Sequence, residues 1–175
     1  MTTLQLLSII TITAICIVAT WSDLKTGFIP DKLTYPAIIA GLILHFAVGG
    51  LRGAGASFSG ALITALVPVI LFKLNAMGGG DVKLFAAIGA LAGTDLAIET
   101  LMLSFMAGAL YGIFIWIRQG VLIDKLISVI RIVKPFARNT QSPPATERTT
   151  IKFAPSILAA WIAAATLNIL GNGVV

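Results

Sequence analysis

Charge is what these 175 residues have least of: only 11% are Asp, Glu, Lys or Arg, while 58% are hydrophobic. Soluble domains carry about 25% charged residues. A soluble chain of this length could not hide so much apolar surface from water, so the bilayer is the natural solvent. Cysteine is nearly absent too. Cys16 stands alone in an apolar run, which excludes a disulfide framework and a cysteine-based zinc site. His45 is the only histidine and has no Cys, Asp or Glu close by in sequence, so it reads as a packed or interfacial side chain, and no metal site is expected. No Lys or Arg precedes Lys25, so the positive n-region of a signal peptide is missing. No segment alternates with period two, and an open sheet edge is not viable in lipid.

What is present is a series of long apolar runs. Six approach the roughly 20 residues a helix needs to cross a core of about 30 Å. They cover residues 4–21, 36–48, 58–74, 82–97, 101–117 and 154–170. The second and fourth are short and rich in Ala and Gly, as tilted or internally packed helices can be. The expectation is an all-α integral membrane protein: one domain over 1–175, a bundle of about six transmembrane helices. GALAG (89–93) and GALYG (108–112) are small-xxx-small patterns that let helices approach closely.

The net charge of +5 does not point to nucleic acid, because the basic residues lie between the runs. Of the twelve, every one but Arg52 falls in the first, third or fifth connection. The positive-inside rule then puts these three connections in the cytoplasm and both chain ends outside. The fifth connection, 118–153, is a basic cytoplasmic loop. Within it, 121–133 (VLIDKLISVIRIV) has Asp124, Ser128 and Arg131 at helical spacing on an apolar background, the pattern of an interfacial helix. Residues 137–150, polar with two prolines, read as a flexible linker.

Only seven acidic residues occur. Asp95, Glu99, Asp124 and Glu147 fall in loops or on polar faces, where a solvated carboxylate is the plain reading. Asp31 or Thr34 reads as the cap of the second helix, with Pro30 holding Ile29 extended and Pro36 starting the helix. Asp23 closes the first run and Asp81 opens the fourth, so the topology sets both at one cytoplasmic edge. Acidic residues at such depth are costly and rarely idle. Gly78, Gly79 and Gly80 before Asp81 permit backbone conformations closed to other residues and leave room for a neighbouring peptide or helix. A plain turn with Asp81 capping its helix is the bland alternative. Lys83 reads either as an orienting group for Asp81 or substrate, or as a cytoplasmic anchor.

Three segments together resemble a known family. Residues 23–36 (DLKTGFIPDKLTYP) resemble the first-aspartate motif of the type IV prepilin peptidases, membrane aspartic proteases of the GxGD class. Residues 78–93 (GGGDVKLFAAIGALAG) resemble the second. Residues 151–155 (IKFAP) resemble the family's late PFGP-like segment, with Ala154 where glycine is usual. The resemblance implies a plasma or inner-membrane endopeptidase with its site at the cytoplasmic boundary. It implies Asp23 and Asp81 as the catalytic pair, Gly78, Gly79, Gly80, Lys83 and Pro30 in support, and no cofactor. The substrate it implies is a single-span prepilin or pseudopilin, cut after a glycine that ends a short basic leader. Larger members carry paired CxxC zinc motifs in a cytoplasmic domain associated with N-methylation. With one cysteine, this chain resembles the short peptidase-only form of tight-adherence (Flp) pilus systems, for which no methylation is expected. It also resembles archaeal preflagellin peptidases in size. The competing readings are a small ion-coupled transporter, whose carboxylates would favour the midplane, and a non-enzymatic scaffold. Oligomeric state is silent in the sequence.

Overall fold

A computed structural model of the chain describes residues 3–74, 76–118, 120 and 153–172. The expected interfacial helix over 121–133 and the linker over 137–150 lie outside the described residues. Among the described residues the structure is all helical, with five helices: α1 (Thr3–Thr26), α2 (Asp31–Lys73), α3 (Gly79–Ala92), α4 (Thr94–Arg118) and α5 (Ala154–Asn172). Of the described residues, 3–74, 76–108 and 153–172 fall in one compact unit, and 109–118 and 120 in a second.

Four of the helices, all but α3, are long and apolar enough to cross a membrane. The chain is an integral membrane protein. Four such helices stand where about six were expected, for two reasons. The second and third runs are limbs of one element, α2, 43 residues long and broken at Gly50. The fourth is α3, whose 14 residues fall short of the roughly 20 needed to cross lipid. The break is sharp. Gly50 has φ 58° and ψ −142°, a conformation essentially closed to side chains. Both limbs meet α3 at one place: Gly41 is packed on the Ala90 backbone, and Ser57 Oγ donates to Ala90 O at 2.7 Å. A straight helix would hold residues 41 and 57 about 24 Å apart. The chain therefore reverses at Gly50, and 31–49 and 51–73 form a helical hairpin around α3.

The packing follows the logic of a lipid solvent. Large apolar side chains such as Ile43, Phe58, Leu66 and Leu110 point outward and are more than half exposed. The interior is rich in small residues: Ala19, Ala87, Ala90, Ala154 and Ala164 are fully enclosed. Hydrophobic burial cannot drive helix association in lipid, so close approach and interhelical hydrogen bonds must. Gly60 and Gly89 face each other so closely that neither could carry a methyl group. Thr64 Oγ1 spans the same contact, donating toward Phe85 O at 3.0 Å as well as to its own helix at Gly60 O. The expected boundary after residue 97 shifts to Gly93, whose φ of 77° ends α3 and starts α4 at once. Asp95 thereby falls in the first turn of α4, where the helix dipole favours an anion.

Candidate functional site

Asp23 sits in the last turn of α1. The helix stops because Gly27, at φ 69°, turns left-handed and its N–H closes on Asp23 O at 2.9 Å. Ser22 Oγ donates to Phe28 O at 2.8 Å and fixes the exit of the chain. Ile29 then plunges into the core, 2% exposed, and Pro30 (φ −65°, ψ 133°) delivers the chain into α2 at Asp31. Pro36, expected to begin that helix, lies inside it. Neither Asp31 nor Thr34, one of which was expected to cap the helix, holds the N-cap position: it is Pro30, which makes no side-chain capping bond.

Asp81 is the third residue of α3, which is not one of the four crossing helices. The glycines before it serve space more than conformation. Gly78 is extended at φ −74°, which any residue can adopt, and Gly79 and Gly80 are helical. A side chain on Gly80 would meet Ile29 Cβ at 3.0 Å, and one on Gly79 would meet the Phe72 ring at 3.3 Å. One on Gly78 would crowd Asp81 Oδ2 at 3.3 Å. The run thus lets α3 start wedged between the α1–α2 turn and the end of the hairpin. The Asp81 carboxylate accepts from the Gly78 N–H, half of a capping box. The capping role is real, and it coexists with a second relation.

That relation is to Asp23. Both residues are enclosed, Asp23 at 9% exposure and Asp81 at 8%. Burial pushes the Asp81 carboxyl up to about 7, the Asp23 charge adds to the rise, and the Gly78 N–H opposes it. Residues 58 positions apart in sequence therefore feel each other across the α1–α3 contact. The charge of one carboxylate thus disfavours ionisation of the other.

Lys83 takes a different partner from the one anticipated. Its Nζ lies 2.6 Å from Asp31 Oδ1 and 5.2 Å from the centre of the Tyr35 ring. It ties the second turn of α3 to the first turn of α2. Lys25, in the last turn of α1, lies over the ring of exposed Trp21 at 5.8 Å, an arrangement suited to an interface. Sequence reasoning missed Phe72, which walls Gly79; an outward-looking apolar residue in a long apolar run carries no signal of that kind. His45 is far from the pair. Its Nε2 lies 3.3 Å from Leu91 O, which can only accept, so that nitrogen carries the proton. It lines a cavity of about 280 Å³ at the opposite end of the hairpin, with Ser8, Gly93 and Trp161. The cavity holds neither aspartate. No group of three or more His, Cys, Asp or Glu among the described residues could hold a metal ion.

A helical membrane protein with two enclosed carboxylates at one end of its bundle defines the class. The comparisons name the family: the chain belongs to the Type IV leader peptidase family, whose model matches residues 10–113 and so includes both aspartates. A prepilin leader peptidase/N-methyltransferase of Burkholderia pseudomallei is 36% identical over 102 residues, 52% of this chain and 31% of that protein. The prepilin peptidase EppA of Methanothermobacter thermautotrophicus is 38% identical over 92 residues, 50% of this chain and 24% of that one. A longer match, to the prepilin leader peptidase/N-methyltransferase of Myxococcus xanthus, covers 82% of this chain and 41% of that protein at 26% identity. The chain spans well under half the length of these relatives. No solved structure matches it.

Proposed function

We propose that this protein is a membrane aspartic endopeptidase that removes the leader from prepilin-like proteins, with Asp23 and Asp81 as its catalytic pair. The observation that carries the reading is the shared burial of the two carboxylates, with the charge of one acting on the other, inside the part of the chain that matches the family. The chemistry follows from the pair. The ionised partner takes a proton from water as the water oxygen attacks the scissile carbonyl carbon. The protonated partner gives its proton to the carbonyl oxygen. Collapse of the tetrahedral species breaks the C–N bond: the proton held by the first carboxylate passes to the leaving amine, and a hydroxyl of the tetrahedral species returns its proton to the second carboxylate as the carbonyl re-forms. The pair titrates as a unit, so neither residue owns one role.

The charge distribution supports a site on the cytoplasmic face of the plasma or inner membrane. A single-span substrate with a basic leader, cut after glycine, suits that location, and its apolar helix would lie beside the outward-facing side chains of the bundle. Only the peptidase half of the relatives' name is carried over. The one cysteine of this sequence, Cys16, is enclosed in α1. A flagellin-like substrate uses the same chemistry. The transporter reading is disfavoured because both carboxylates occupy helix ends: the last turn of α1 and the first of α3.

The test is cleavage of a prepilin-like substrate by purified protein. Asp23→Asn and Asp81→Asn are each expected to abolish processing, a loss of at least about a thousandfold, while the variants stay membrane-inserted. Full processing by either variant overturns the pair.

A further inference from the structure

The segment IKFAP has no task in the chemistry above, yet its described part touches both aspartate-bearing helices. Thr20 Oγ1 on α1 donates to Ala154 O at 3.2 Å, a bond linking residues 134 apart in sequence. Thr20 is three residues before Asp23, on the same face of α1. The Phe153 ring packs against Phe85 with centroids 6.5 Å apart. Phe85 is four residues after Asp81, on the same face of α3. Both contacts lie one helical turn deeper than a carboxylate. Thr20 is 8% exposed, and Phe85 and Ala154 are fully enclosed.

Phe153 and Ala154, the elbow that leads into α5, are themselves held firmly. Phe153 O accepts from the N–H groups of Ser156 and Ile157, which starts α5 at this point. The Phe153 ring also meets Phe105 of α4, centroids 5.8 Å apart, and Phe105 stacks on Phe85 at 6.0 Å and 17°. Gly108 leaves the space that the Phe153 ring fills; a side chain there would strike the ring. The second glycine-bearing pattern, GALYG, thus acquires a specific occupant.

From these contacts we infer that Phe153 and Ala154 are positioning residues: their elbow is a spacer wedged between α1 and α3 that sets the separation of Asp23 and Asp81. The inference rests on the proposed pair, and it assigns the elbow no contact with substrate. A carbonyl bonded to one helix and a ring packed on the other transmit displacement directly, because close-packed interiors do not absorb it.

Two measurements test it. In the cleavage assay, Thr20→Val keeps shape and loses the donor. It is expected to lower kcat about tenfold with KM unchanged, and Thr20→Ser restores the rate, since sub-ångström misplacement of reacting groups is costly. Phe153→Leu is expected to act in the same direction. Wild-type kcat in Thr20→Val, or a loss equal in Thr20→Ser, overturns the elbow. The second measurement needs no activity. With Asp23→Cys and Asp81→Cys in a Cys16→Ala background, the rate of oxidative cross-linking should change several-fold on adding Thr20→Val and return with Thr20→Ser. An unchanged rate overturns the elbow. If wild-type protein cleaves nothing while cross-linking responds as expected, the peptidase reading fails and the spacer stands.

Discussion

At the scale of single residues, the carboxyl of Asp81 makes a demand on pH. Its enclosure, reinforced by Asp23, holds it protonated up to about 7, against an ordinary value of 3.8. Between those values the folded state binds a proton that the unfolded chain has released. The stabilisation is complete below about 4 and is lost as pH rises through about 7, by at most about 4 kcal/mol. Thermal melting in detergent at pH 5 and pH 8 is therefore expected to show wild type losing more stability than Asp81→Asn. Asp23→Asn should show a shallower loss that persists, since desolvation is the larger cause. Equal losses in wild type and Asp81→Asn would show that the carboxyl is not held protonated.

At the scale of elements, the contact between the hairpin and α3 is set by glycine. A methyl group on Gly89 meets the Gly60 carbonyl and the Thr64 hydroxyl, and backbone cannot step aside as a side-chain tip can. Gly89→Ala is expected to destabilise by about 2 kcal/mol or more. Gly55, with nothing within 4 Å of its missing Cβ, is the control: Gly55→Ala should be neutral or stabilising by up to about 1 kcal/mol. Melting of the two variants side by side checks both. The same elements show what the sequence could carry. The helices were legible from apolar runs, and the two aspartates from their position at run ends. The break at Gly50 was hidden, because glycine in an apolar run signals close packing as readily as a turn; its left-handed backbone appears only in the fold. Lys83 could not be matched to Asp31, 52 residues away, since several acidic residues share that end of the bundle. The glycines before Asp81 read as conformational licence, whereas Ile29 and Phe72 make them a matter of room. Steric need depends on a neighbour that sequence order does not name.

At the scale of the whole molecule, contacts fix which ends face the same way. Ile29 on Gly80, Lys83 on Asp31 and Phe72 on Gly79 gather the α1–α2 turn, the end of α2 and the start of α3 at one end. The Gly50 reversal, His45 and Gly93 gather at the other. Single cysteines introduced by Lys25→Cys and Lys73→Cys are expected to react with a membrane-impermeant maleimide from the cytoplasmic side, and Gly55→Cys from the opposite side. Cys16 can stay in place, because it is fully enclosed. Labelling of position 55 together with 25 would overturn the topology.

The reversal at Gly50 bears on how such a chain reaches the bilayer in the first place. A segment that doubles back can enter as a preformed pair, with both its ends left on the side of synthesis. What has to be pushed across is then only the bend at Gly50 and the helix ends beside it, residues 49–55, which hold one charge, Arg52, and otherwise only glycine, alanine and leucine. The cost of carrying polar chain through hydrocarbon is confined to that one guanidinium. The same glycine thus governs both the hairpin's route into the bilayer and the pairing of its two limbs around α3.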